Sequence, residues 1–354
     1  VDALTYDDGE GPLLAILEHR AGGKDLRHRT RTSAGWHEAP ELARSMTCAA
    51  DYTGLDLKPY LQLIDTLNPA HRLWADGRWN KITLAHGCYW RRCTFCDVNL
   101  DYIGRYERAK VGRLVDQMEE VIASTGQRGF HFVDEAAPPS AMAALAIELL
   151  ARGLAVSWWG NIRFERAFAP DLCRLLAAAG LIAVTGGLEV ADERLLALID
   201  KGVSVPQVAR CAQAFQSAGV MVHAYLMYGF PTQTEAETIN SMELVRQLFA
   251  AGLIDSAFWH RFVLTQHAPI AANPDAFGIR ITPARATFAS NDLPHSDATG
   301  GDHDLFDDVL PLALAAWLRG DAVHRPVVDW FDAHMPDPTV SPNAIEHALQ
   351  LGEA

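Results

Sequence analysis

Three cysteines, Cys88, Cys93 and Cys96, fall within nine residues in the stretch GCYWRRCTFCD (87–97). Thiolates at this density bind a metal or a cluster, or carry redox chemistry. A structural zinc site asks for four ligands. The nearby candidates for a fourth are His86 and Asp97, and no second cysteine pair follows at finger-like spacing. A cubane iron–sulfur cluster has four irons. Three thiolates leave one iron open, as a Lewis-acid position for an exogenous ligand. Three is thus a shortfall for zinc and an asset for a catalytic cluster. The scattered Cys48, Cys173 and Cys211 read instead as buried small hydrophobes.

A loop of this kind must be held by a scaffold, and the flanking sequence supplies one. KITLA (81–85) reads as a short strand running into the cysteine loop. Further apolar runs read as strands at 130–133, 154–159, 181–185, 220–228 and 256–264. Between them lie helical patterns. Val111, Leu114, Val115, Met118 and Ile122 share one face, and PPSAMAALAIELLARG opens with proline and closes at Gly153. Further helices are read in APDLCRLLAAAG, DERLLALIDKG, SVPQVARCAQAFQSAG and QTEAETINSMELVRQLFAAG. Strict strand–helix alternation implies a parallel sheet with right-handed crossovers, either doubly wound or an incomplete barrel. In both, ligands sit at the C-terminal ends of the strands, where the cysteine loop begins.

The bulk numbers agree with an ordinary globular protein: 354 residues, 49% apolar and 21% charged. A net charge of −14 argues against a nucleic-acid partner, since phosphate binding needs basic surface. No apolar run is long enough to span a bilayer and no signal-peptide pattern is present, so a cytoplasmic, membrane-free setting without a disulfide framework is expected. Residues 1–20 read as the interior of a longer unit, so a preceding segment is expected too.

GCYWRRCTFCD resembles the cysteine loop of the radical S-adenosylmethionine (SAM) superfamily, of the kind associated with a cobalamin-binding domain. The family pattern is Cys, three residues, Cys, two residues, Cys, with an aromatic before the last Cys; here the first gap holds four. FHFVDEAAPP, WWGNIRFE, GGLEVADERLLALIDKG and MYGFPTQTEAE follow at successive strand ends, as in that family. The resemblance covers about residues 45–275. It implies an α/β fold: a parallel sheet closed into a partial, TIM-like (β/α)6 barrel. It also implies a remnant of an N-terminal Rossmann-like cobalamin-binding domain and a small helical C-terminal region. The divisions are 1–44 for the remnant, 45–80 for a linker, 81–275 for the core and 276–354 for the extension.

The resemblance assigns roles as well. Cys88, Cys93 and Cys96 would ligate three irons of a [4Fe–4S] cluster, and SAM would chelate the fourth. Phe95 would pack near the adenine. Asp134 and Glu135 would hold the ammonium of the methionine part, and Asn161 and Arg163 would follow, with Arg163 on its carboxylate. Glu189 would contact polar groups of SAM, while Met227 and Phe230 would flank the adenine on a turn shaped by Gly229 and Pro231. Trp90, Trp158 and Trp159 are read as cavity wall, and His86, His131, His223, His260 and His267 as structural. The implied chemistry is reductive cleavage of SAM to a 5′-deoxyadenosyl radical that abstracts hydrogen from a small-molecule or peptide substrate, with flavodoxin or ferredoxin as electron donor. TYDDGEGPLLAIL resembles the last strand–turn–helix of a cobalamin-binding domain, although the ligand motif Asp-x-His-x-x-Gly is absent here. With cobalamin, methyl transfer to carbon is the leading reaction. Radical oxidoreduction or rearrangement without cobalamin is the alternative within the class. Outside it stand a non-catalytic zinc or iron–sulfur binding module and an electron carrier.

Overall fold

In a computed structural model, residues 3–5, 10–23, 30–37, 49–60, 64–75, 77–283 and 291–351 are described. The chain divides into two compact units, Val1–Cys48 and Ala49–Ala354. In the first, β1 (Ala3–Thr5) precedes α1 (Glu10–Arg20), then β2 (Thr30–Thr32) and β3 (Gly35–His37). β1 pairs antiparallel with β2, and β2 with β3. The expected strand and helix are therefore present. The pairing described around them is antiparallel, so it does not itself display a Rossmann-like unit. Gly9 and Cys48 lie outside the described residues.

The second unit begins with α2 (Pro69–Ala75), β4 (Trp79–Ile82) and β5 (Ala85–His86). After the cysteine loop come α3 (Asp101–Gly104) and β6 (Glu107–Arg108), the latter antiparallel to β5. Then the alternation sets in: α4 (Val111–Thr125), β7 (Gly129–Phe132), α5 (Pro139–Ala151), β8 (Ser157–Ile162), α6 (Pro170–Ala178) and β9 (Leu181–Glu189). It continues through α7 (Glu193–Ile199), α8 (Val205–Ser217), β10 (Met221–Tyr228), α9 (Glu235–Ala250) and β11 (Ser256–Arg261). The sheet order is β4-β7-β8-β9-β10-β11, all parallel. A doubly wound sheet would reverse its strand order part-way; this one never does, which is the winding of a barrel.

Side chains alternate across each strand and sort into two environments. Phe130, Phe132, Trp158, Ile162, Val184, Leu188, Val222, Ala224 and Leu226 pack into the main apolar core with α4, α5, α6, α8 and α9. The intervening residues form a polar and aromatic inner face. There the His131 ring stacks on Trp159 at 3.5 Å, and its Nδ1 lies 2.9 Å from Lys81 Nζ. His223 Nδ1 meets Ser256 Oγ at 2.7 Å, and Trp74 of α2 lies edge-on to that imidazole at 5.0 Å. Only the outer face is greasy, so the apolar runs come from the helix-covered side.

Beyond β11 the chain forms α10 (Pro269–Ala272), the hairpin β12 (Ile279–Ile281) and β13 (His295–Asp297), α11 (Val309–Trp317) and α12 (Ala344–Gln350). α11 packs on β11 and α9, and α12 on α8 and α9, so this extension is part of the second unit. All six strands differ from the sequence reading by one residue or more at an end; the fourth runs on to 189 rather than 185, and the last ends at 261 rather than 264. The first strand is 79–82, not 81–85, and the third is 157–162, not 154–159. Register explains the latter: Gly129 pairs with Ser157, so 154–156 serve as lead-in despite their apolar character.

Candidate active site

A cavity of about 430 Å³ opens at the C-terminal ends of the strands. Cys88, Cys93 and Cys96 form one wall with Phe95. Glu135 stands beyond β7, Asn161 and Arg163 at and just beyond the end of β8, Glu189 at the end of β9 and Met227 near the end of β10. Nine of the twelve residues singled out from the sequence thus share one space.

The cysteine loop is fixed by backbone contacts at both ends. Cys88 N–H donates to Ile103 O at 3.0 Å, and Thr94 N–H donates to Ile199 O at 2.9 Å. Arg91, inside the four-residue first gap, turns into the left-handed region at φ 53°. Its guanidinium donates to Gly104 O at 2.8 Å. Trp90 does not line the cavity. It lies over Gly202, where a Cβ would come within 2.1 Å of the indole. Trp158 belongs to the helix-facing core, with its N–H on Ala179 O, and Trp159 lies deeper on the inner face, so neither is cavity wall.

Three further expectations need correction of place. Asp134 is buried beneath the cavity, its two carboxylate oxygens accepting the N–H groups of Leu84 at 2.9 Å and Ala85 at 2.6 Å. It ties β7 to the chain entering the cysteine loop, while its neighbour Glu135 faces the cavity, because consecutive side chains point opposite ways. Phe230 is fully buried against Phe262 at 5.2 Å and Phe277 at 6.4 Å. Gly229, at φ 75°, faces His303 and Arg261. Of the MYGFP run only Met227 reaches the cavity.

Residues 82–245 match the family model of the Radical SAM superfamily. These residues form a radical SAM domain. The chain is 23% identical over 258 residues to a Pyrococcus horikoshii protein named as an uncharacterized methyltransferase, covering 70% of this chain and 53% of that one. It is 24% identical over 256 residues to the anaerobic magnesium-protoporphyrin IX monomethyl ester cyclase of Rubrivivax gelatinosus, covering 68% and 43%. The chain therefore spans about half the length of these relatives. Among solved structures it resembles the radical SAM methyltransferase TsrM of Kitasatospora setae with cobalamin and a [4Fe–4S] cluster, at TM-score 0.59 and 18% identity over 100% of this chain and 75% of that one. It also resembles the cobalamin-dependent SAM radical enzyme OxsB, at TM-score 0.59 and 11% identity over 84% and 48%. At these identities the likeness is one of fold.

The electrostatics of the radical SAM domain follow from burial. Burial pushes the Cys93 thiol up, and Cys96 up to about 12. Burial also raises Glu135, which has no ion-pair partner among the described residues. Asp134 is pushed up to about 7, since burial outweighs the pull of its two N–H donors. Arg163 is engaged on two sides: Nε on Glu165 at 3.0 Å and Nη2 on Lys201 O at 2.6 Å, with its guanidinium 4.2 Å from the Trp90 ring. Asn161 donates to Asp134 O at 2.9 Å and accepts from Thr185 Oγ1.

The cavity also holds residues that sequence reasoning missed, among them Lys201, Thr185, Tyr225 and His260. Tyr225 and His260 were recoverable from alternation, since Tyr225 lies two residues before Met227 on the same strand and His260 pairs with Met227. His260, expected from the sequence to be structural, lines the cavity. Lys201 follows a helix, not a strand, and nothing in DKG marks it.

Proposed function

We propose that this chain is the SAM-cleaving core of a cobalamin-associated radical SAM enzyme acting on a small molecule or peptide, with methyl transfer as its leading reaction. The observation that carries this reading is the wall of three thiols on a cavity otherwise lined by unpaired Glu135, the Glu189–Lys201 pair and Arg163. The donor set fits a cluster. Three thiols on one cavity match the ligand count of a cluster with one open iron and fall one short of a structural zinc site.

Cys88, Cys93 and Cys96 would hold the cluster. When bound and reduced, it supplies the electron for homolysis of a carbon–sulfur bond of SAM. The protein's own residues do the rest. Glu135 would take the ammonium of the methionine part, being the one cavity carboxylate without a cation. Arg163 offers Nη1, its remaining donor group, to the carboxylate, and its other contacts fix the direction of that group. Phe95 and Met227 offer apolar surface to the adenine. The aromatic and imidazole side chains of the inner face close the space below and keep bulk water from the reacting carbon.

Cobalamin enters as a second cofactor because the fold neighbour TsrM has it bound, OxsB is named as cobalamin-dependent and a sequence relative is named as a methyltransferase. A Rossmann-like domain, of which residues 1–44 would be a remnant, would carry it. Flavodoxin or ferredoxin would supply the electron. Among the described residues no helix is long and apolar enough to cross a membrane, and a cytoplasmic setting is proposed.

Anaerobic reconstitution with iron and sulfide tests the reading. The expected product is a brown protein whose reduced cluster signal changes on adding SAM and which releases 5′-deoxyadenosine. A colourless, zinc-loaded protein, or a brown one that leaves SAM intact, would overturn it.

A further inference from the structure

Lys201 and Glu189 are a buried ion pair that the sequence did not announce. Lys201 Nζ lies 2.5 Å from Glu189 Oε1, and the two side chains are 10% and 13% exposed. Three features hold them. Gly187 leaves the space they occupy, since a Cβ there would stand 2.0 Å from Glu189 Oε1 and 2.6 Å from Lys201 Nζ. Glu189 adopts φ 62°, which side-chain-bearing residues rarely do, and this turns its carboxylate to the lysine. The Lys201 carbonyl accepts Arg163 Nη2, so the turn carrying the lysine is tied to β8. The ammonium also lies 5.8 Å from the Phe95 ring, inside the cysteine loop.

Desolvating two ions to make a pair is a poor way to gain stability. Here the pair opens onto the cavity whose other wall is the three thiols, and its positive end is the one that reaches the cysteine loop, at the Phe95 ring between Cys93 and Cys96. Iron–sulfur potentials respond to net charge and to dipoles near the sulfurs. A fixed cation at that point stabilises the reduced, more negative state.

We infer that Lys201 is a positioning charge for the metal centre, held by Glu189 in the cavity that the three thiols line so that a cluster bound there is easier to reduce. This rests on the reading that Cys88, Cys93 and Cys96 hold an iron–sulfur cluster. The test is a redox titration followed by electron spin resonance, without SAM, on protein assayed for iron and sulfide. Lys201→Gln should move the midpoint potential down. Glu189→Gln should move it up, because the anionic cluster becomes the counter-charge that keeps the lysine protonated. Lys201→Arg should stay close to wild type. Opposite shifts distinguish a charge from a packing role, which would move both variants alike. Wild-type potentials in the first two variants at full iron content, or shifts of one sign, overturn the inference. If Lys201→Gln loses its cluster, an unmoved potential in Glu189→Gln overturns it equally. A wild-type protein that takes up no iron overturns the underlying reading first, and is told apart by the iron assay.

Discussion

The indole N–H of Trp90 donates to the carbonyl oxygen of Asp200 at 2.7 Å, which clasps the cysteine loop to the turn after α7. Arg92 reinforces the clasp with an ion pair to Asp200 at 3.0 Å, and its guanidinium lies 5.0 Å from the Trp90 ring. The contact joins residues more than a hundred positions apart. It brings Lys201 to the cavity that the cysteines line.

Gly202→Ala tests the clasp. The residue sits at φ 70°, where alanine is strained, and its Cβ would fall 2.1 Å from the indole. Strain and overpacking together predict a loss of about 2–3 kcal/mol of stability. Iron per chain after anaerobic reconstitution should fall in step, because the loop loses its anchor. An alanine variant with wild-type iron and wild-type denaturant midpoint would show that Trp90 can move aside freely.

The five cysteines of the described residues should divide sharply. Serine at Cys88, Cys93 or Cys96 should each abolish the brown chromophore. Cys173 on α6 and Cys211 on α8 are buried among helices away from the cavity. Alanine at either should leave iron content unchanged and cost about 1 kcal/mol of stability. Iron and sulfide assays beside a denaturation curve read both effects.

Much of this was legible because strand–helix alternation places strand ends together whatever the loops do. Cys88, Glu135, Asn161, Glu189 and Met227 needed only that rule. Asp134 and Phe230 did not follow it, for local reasons. Asp134 is one residue from Glu135 and therefore points into the fold, where two N–H groups claim it. Phe230 comes after Gly229 has turned the chain, so it drops into the aromatic core with Phe262. Lys201 was illegible because its place depends on tertiary contacts through Trp90 and Arg163, which no local pattern encodes. The inner-face histidines were read as structural, and His131 and His223 are packed as such.

Those two histidines predict a pH dependence. Burial, with the Lys81 charge adding to it at His131 and nearby His71 and His260 at His223, lowers each to about 3 from an ordinary 6.5. The unfolded chain therefore takes up protons that the fold refuses between those values. Stability that is complete above pH 6.5 should decline as pH falls toward 3. A His131→Gln, His223→Gln double variant should show a flatter fall in urea midpoint between pH 7.5 and 5 than wild type. Parallel curves would mean that both imidazoles titrate normally in the fold.

Glu135 and Asp134 are adjacent carboxylates with different predicted work, and conservative amides separate them. Glu135→Gln removes a charge that faces the cavity and satisfies no protein donor. It should weaken SAM binding about ten- to a hundredfold, the value of one charge-assisted hydrogen bond, with little change in stability. Asp134→Asn replaces one of two acceptor oxygens by an NH2 group, which then confronts a buried backbone N–H of Leu84 or Ala85. That should lower stability by about 1–3 kcal/mol and leave the SAM affinity of the folded, cluster-loaded fraction near wild type. Anaerobic equilibrium dialysis with labelled SAM and urea unfolding of the same preparations give the two readouts. If the effects are exchanged between the variants, Asp134 is the group that meets the ligand, and the alternation of the two side chains beyond β7 is reversed.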